Sequence, residues 1–306
     1  MAGPFAVLTR MPAWKWKEAP VESWDDLRFL VALSKAGSMT GAARILKTSV
    51  ATVSRRLDRL AEELGTEPFV KTAQGWQPSP AVEGLIKVAT DFDGQLKREM
   101  NTQAALGEDG RATVRIGCPP GISSFMLIPT LNESEIDSTR INIEFHDRVF
   151  GEGLGHDDIV IAFERPTVGR LVTRKLGTLG FSIFCHEDGN VGPEWVGLTE
   201  AHDTSGSMKL GLEHFQRPPL IRVETFLSLS TLMSVSRLPG PLPLFAGRAK
   251  RGYRRITDAE YRSNFWLFYH ESRRGDPAID QTIRWIVSCF SRVERDETPD
   301  NGGAKA

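Results

Sequence analysis

Arg55, Arg56 and Arg59 fall in one short stretch, TSVATVSRRLDRL, from Thr48 to Leu60. Guanidinium groups suit phosphates and the edges of guanine, hydroxyls suit either, and small apolar groups pack on a thymine methyl. Val53, Leu57 and Leu60 recur at i, i+4 and i+7, which gathers them into one buried helical stripe. Ser49 is placed to cap that helix, its hydroxyl accepting a free N–H of the first turn. The opposite side then carries Val50, Ala51, Ser54, Arg55 and Asp58, a face fitted to a groove. A solvated helix face is the alternative.

Other residue groups with chemical potential lead elsewhere or nowhere. Gly151-Glu152-Gly153-Leu154-Gly155 has the look of a nucleotide loop, but such a loop must open a helix, and Asp158-Ile159-Val160-Ile161 reads as a strand. His156 with Asp157 and Asp158 has no third ligand in register, so these read as turn residues and no metal is expected. Cys118, Cys185 and Cys289 are widely spaced and odd in number, against both a disulfide framework and a CxxC site. No G-x-S-x-G elbow occurs and the six histidines do not cluster. Neither catalysis nor a cofactor is called for.

The elements that must position the arginines lie on either side of them. Ser23-Trp24-Asp25-Asp26 has the S-x-x-D form of a helix start ahead of the apolar run Leu27 to Leu33. Ala36-Gly37 supplies a stop, and Ser38 caps a second helix from Thr40 to Leu46. A turn at Lys47-Thr48 leads into the arginine helix, which runs to a stop at Gly65, giving a helix-turn-helix. Two short extended pieces around Thr72-Ala73-Gln74 form a small hairpin, or wing. From Ala81 to Gln103, Val82, Leu85, Ala89, Phe92 and Leu96 follow spacings of 3, 4, 3 and 4, the pattern of a dimerising seam or of a helix packed on its own domain. Gly107 to Gly110 reads as a linker.

The 306 residues suffice for about two domains at roughly 150 residues each, and a net charge of −1 with 40% hydrophobic residues marks an ordinary globular chain. Residues 1–22 read as a disordered extension and 296–306 as a disordered tail. From about 112 to 295 strands alternate with helices: Thr113 to Gly117, Ile141 to Phe145, Ile159 to Phe163 and Gly180 to Cys185 are strand-like. Ser123 to Leu131, Phe226 to Val235 and Pro277 to Ser291 are helical, which predicts an α/β domain on a mostly parallel sheet. No apolar run is long enough to span a membrane and no leader is evident, so a cytoplasmic protein is expected.

Residues Trp24 to Ser79 resemble the N-terminal domain of LysR-type transcriptional regulators. The likeness rests on Trp24-Asp25-Asp26-Leu27, Ala36-Gly37-Ser38-Met39-Thr40 with Ala42-Ala43, Ala51-Thr52-Val53-Ser54-Arg55-Arg56-Leu57, Glu63-Leu64-Gly65 and Phe69. It continues faintly through Arg115-Ile116-Gly117, Asp158-Ile159-Val160-Ile161 and Trp266-Leu267-Phe268-Tyr269-His270. The resemblance implies a winged helix-turn-helix over 23–79, a linker and dimerisation helix over 80–105, and a two-lobed α/β regulatory domain over 112–295 shaped like a periplasmic binding protein. It implies promoter DNA, a small-molecule effector and a second copy of the chain as partners.

Carried onto this sequence, the DNA-binding set is Thr40, Ser49, Val50, Ala51, Thr52, Ser54, Arg55, Arg56, Arg59, Lys71 and Gln74. Val50 and Ala51 stand where the family most often has glutamine and proline, and Gln74 and Gln77 stand where it commonly has arginine. Fewer phosphate contacts are therefore expected, and a shallow salt dependence. The effector set is Gly121, Ile122, Ser123 and Ser124 after the first strand, Ala162 and Phe163 at a hinge crossing, and Thr225 and Phe226 at a second helix start. Glu224 departs from the family's neutral residue and puts a simple carboxylate effector in doubt, unless it turns outward to Arg222 or to solvent. Three prolines in Leu238 to Pro243 imply a reshaped or degenerate cleft. The reading is a DNA-binding regulator controlled by a small molecule. Open beside it are a constitutive regulator and a cytoplasmic small-molecule module whose helix-turn-helix makes protein contacts.

Overall fold

Three helices, α1 (Trp24–Ala36), α2 (Met39–Leu46) and α3 (Val50–Leu64), are followed by a hairpin of β1 (Phe69–Thr72) and β2 (Gly75–Pro78) and by the long α4 (Glu83–Leu106). The computed structural model describes residues 24–72, 75–106, 111–133, 136–137, 139–148, 154–155, 157–166 and 170–297. The expected extension at 1–22, the linker at Gly107 to Gly110, Gln74, Gly151 to Gly153, His156 and the tail beyond Glu297 lie outside them. The chain divides into two units, Met1–Thr90 and Asp91–Ala306, with the boundary inside α4.

In the first unit the caps follow from residue type. Ser38 accepts from Gly41 N and Ser49 from Thr52 N, each at 3.1 Å, meeting donors the first turn leaves open. Gly37 and Gly65 close α1 and α3 with left-handed φ of 62° and 67°. Leu30, Leu33, Ala42, Val53 and Leu60 are wholly buried together, so the expected stripe of α3 does face the core. The wing docks where Trp76 N donates to Gly37 O at 2.9 Å. Gly75 beside it has φ 111°, and a Cβ there would stand 2.6 Å from the same carbonyl, so the approach requires glycine.

Ser23, which opens the expected S-x-x-D helix start, lies outside the described residues. The Asp26 carboxylate at its other end crosses to α3. It is fully buried and accepts from Arg56 at 2.8 Å and from Arg59, because a buried charge needs an opposite partner.

The second unit is built on β3 (Ala112–Cys118), α5 (Pro120–Ile122), β4 (Ile141–Asp147), β5 (Ile159–Ala162), β6 (Leu171–His186), β7 (Val196–Leu198), α6 (Gly206–Phe215), β8 (Ile221–Val223), α7 (Phe226–Ser236), β9 (Gly240–Pro243), α8 (Leu244–Ala249), β10 (Tyr253–Arg255), β11 (Tyr261–His270) and α9 (Pro277–Glu297). The main sheet runs β10-β6-β11-β5-β3-β4, with β9 also on β6.

The sheet is not mostly parallel. Only β3 with β4 and with β5 pairs parallel there, whereas β11 with β5 and β6, and β6 with β9 and β10, pair antiparallel. The cause is the length of β6 and β11, which run through both lobes as opposed strands. One lobe packs Val114, Ile116, Ile159 and Phe290; the other packs Trp195, Met208, Leu229 and Leu242.

Pro241 and Pro243 sit within a strand. Gly240–Pro243 lies antiparallel on β6 and is buried throughout. Pro241 and Pro243 are two apart, so both lack N–H on the same edge of the strand.

The helix expected from Ser123 to Leu131 is instead a wide π turn at Ser123–Leu127 and a 3-10 turn at Ile128–Glu133. The last helix runs on to Glu297, two residues into the stretch expected as a tail. Burial raises the pKa of the Glu297 carboxyl, while its bond from Gly180 N at 2.7 Å opposes that rise.

Candidate functional sites

The outer face of α3 presents Val50, 44% exposed, with Ala51 and Arg55 also exposed. Ser49 is occupied as the cap, and its hydroxyl lies 2.9 Å from that of Thr52. Ser54 is half-buried beside Asp58, at 3.5 Å. Thr40 on α2 and Lys71 on the wing are exposed.

The three arginines separate into two roles. Arg56 and Arg59 reach back to Asp26, and Arg56 also lies 5.7 Å from the centre of the Phe29 ring. Both therefore fasten α3 to α1. Arg55 is left facing solvent.

The expected seam on α4 is also redistributed. Val82 and Ala89 are buried, and Leu85 packs half-buried on the first unit's core. The exposed apolar residues along the helix are Val88, Phe92, Leu96 and Met100.

In the second unit a cleft of about 570 Å³ opens between the lobes. Gly121, Ile122, Ala162, Phe163, Thr225 and Phe226 line it, as the sequence placed them. Ser123 and Ser124 do not. Ser123 is buried and donates to Pro120 O at 3.0 Å, because the turn after Pro120 carries its hydroxyl inward. The sequence reading missed Glu164, Phe181, Ser205, Tyr261, Phe245 and Phe265, which also line the cleft. For Ser205 the signal was present, since Ser-Gly ahead of Met208 and Leu210 is a helix start, and Ser205 does accept from Met208 N.

Glu224 does not turn to Arg222. Arg222 forks onto Asp203 at 2.7 and 3.2 Å and donates to Leu198 O, while Glu224 stays at the cleft and accepts from the Thr199 hydroxyl at 3.2 Å. Asp157 is paired with Arg148 and hydrogen-bonded to His146, and Asp158 is paired with Arg273.

Residues 24–83 match the family model described as "Bacterial regulatory helix-turn-helix protein, lysR family". The chain is 24% identical to the Mau operon transcriptional activator of Paracoccus denitrificans across 89% of this chain and 98% of that protein. Residues 24–83 are thus a helix-turn-helix domain of the LysR type, and the chain as a whole is similar to a transcriptional activator.

Solved structures of similar fold span both units. ArgP from Mycobacterium tuberculosis is similar at a TM-score of 0.54 and 15% identity, over 87% of this chain and 96% of that one. Full-length LysG from Corynebacterium glutamicum, a structure with bound effector Arg, is similar at 0.54 and 17%, over 88% and 98%. These likenesses establish the fold: a helix-turn-helix domain and a two-lobed α/β domain.

The three thiols are shielded from solvent. Cys118, Cys185 and Cys289 are all buried, and burial pushes the Cys118 pKa up to about 12. Because the thiolate is the nucleophile, folded protein at about pH 8 should resist iodoacetamide, and mass spectrometry should show all three thiols alkylated only after denaturation. An adduct on native protein would show that one of these sites opens.

Proposed function

We propose that the regulator reads promoter DNA as a homo-oligomer through α3 and the wing and answers to a small molecule held in the cleft of its second unit. The observation that carries the DNA reading is the division among the arginines. With Arg56 and Arg59 held by Asp26, the face left to enter a major groove is Val50, Ala51 and Arg55, with Thr40 and Lys71 beside it. Self-association through α4 is supported by Val88, Phe92, Leu96 and Met100, apolar and exposed at four-residue intervals.

The effector reading is supported by the cleft itself, and by the bound effector of LysG in a similar fold. No catalytic step is assigned to the chain. Its site of action is the cytoplasm, in keeping with the absence, among the described residues, of a helix long and apolar enough to cross a membrane.

Gel shifts with DNA from upstream of the regulator's own gene test the first part, and the same assay over a salt series tests the contact count. Specific binding is expected, with a slope of log K against log salt shallower than about −9, the value for roughly ten phosphate contacts. Folded protein that shows no sequence preference at low salt would refute the DNA reading. A slope of −9 or steeper would refute the small contact set.

A further inference from the structure

We propose that the cleft of the second unit selects a small organic cation, an amine borne on an apolar or aromatic body, and disfavours a carboxylate. The inference rests on the effector reading above and concerns the charge of the ligand.

Among the described residues that line the cleft, none is lysine or arginine, while Glu164 and Glu224 are both present and exposed. The cations nearest in sequence are turned to other partners. Arg222, two residues before Glu224, is forked onto Asp203, and Arg165, next to Glu164, stacks 5.6 Å from the centre of the Trp266 ring.

Three helix starts, those of α5, α6 and α7, face the same space and would ordinarily favour an anion, because the open end of a helix carries about half a positive charge. Of these, α5 is three residues long and opens on Pro120, which has no N–H to offer. At α7 that attraction is already met. Glu224 directly precedes the capping residue Thr225, so a full negative charge of the protein's own stands beside that helix end. At α6 the Ser205 hydroxyl accepts from Met208 N, leaving a partial charge set against two whole carboxylates.

The rest of the lining suits the body of such a ligand. Phe181 lies 5.4 Å from Phe226 and 6.3 Å from Tyr261, and Phe163 lies 4.6 Å from Phe265, centre to centre. Aromatic faces attract an ammonium group as well as apolar carbon. The volume, about 570 Å³, falls within the range of small-molecule sites.

Three probes that share a phenyl body separate charge from shape: 2-phenylethylamine, 2-phenylethanol and phenylacetate, each titrated calorimetrically at millimolar concentration into the full-length regulator. The amine should bind at least about ten-fold tighter than phenylacetate, the difference one charge-assisted hydrogen bond makes. Glu224→Gln keeps an acceptor for Thr199 but removes the charge. It should weaken the amine by about ten-fold and leave the alcohol within about two-fold. Tighter binding of phenylacetate than of the amine overturns the proposed charge preference and leaves the effector reading standing. An amine affinity unchanged in Glu224→Gln also overturns it. Saturable binding of none of the three probes overturns the effector reading as well.

Discussion

Arg273→Met should destabilise the second unit by about 3–5 kcal/mol, the range for removing one partner of a buried ion pair. Arg273 is buried between two buried carboxylates. It donates to Asp158 at 2.7 Å and to Asp276 at 2.8 and 3.0 Å. Asp276 also accepts from Ala278 N and Ile279 N at the start of α9 and from Asn101 on α4, while Asp158 accepts from Arg115 N on β3. Those bonds survive the substitution, but the two negative charges lose the cation that offsets their desolvation.

The thermal transition followed by the fluorescence of Trp195, which is wholly buried in this unit, should fall by roughly 6–20 °C. Adding Asp158→Asn and Asp276→Asn should recover much of the loss, since each amide keeps an acceptor and removes a buried charge. A loss that persists in the triple variant would mean that the guanidinium's packing, and not its charge, holds these elements together.

The sequence disclosed local features and withheld those made between distant residues. Ser38, Ser49, Gly37 and Gly65 could be read because a cap is settled within a few positions of the chain. The stripe of Val53, Leu57 and Leu60 was legible for the same reason. The partners of the Asp26 carboxylate were not legible because they lie 30 and 33 residues on, and an S-x-x-D pattern carries no sign of a bond that crosses to another helix.

The direction of the sheet was hidden in a similar way. Gly180 to Cys185 gave a strand, but nothing local showed that it continues back to Leu171 and runs opposed to β11 over both lobes. In the cleft, Thr225 and Phe226 came from the resemblance, which sets them at a helix start, whereas Phe181, Tyr261 and Phe265 arrive on strands whose meeting depends on that topology.

Arg55→Ala should weaken specific DNA binding by about 1–3 kcal/mol, or roughly ten- to hundred-fold, without lowering the melting temperature of the first unit. The contrast with its neighbours makes this a sharp expectation. Arg56 and Arg59 bind a carboxylate that is wholly buried, so Arg56→Ala should lower the stability of the helix-turn-helix, and any loss of DNA affinity should follow from that. Arg55 has no such bond to lose, being exposed on the face that Val50 and Ala51 share. Gel shifts paired with thermal melts of both variants separate the two roles. Equal melting losses in Arg55→Ala and Arg56→Ala would make Arg55 a structural residue. Unchanged DNA binding in Arg55→Ala would leave the methyl-lined pair Val50 and Ala51 as the principal contacts of α3. If both expectations hold, the reading face of α3 is narrow, one guanidinium beside two small apolar groups, and a half-site should then pair one guanine or phosphate contact with a thymine methyl.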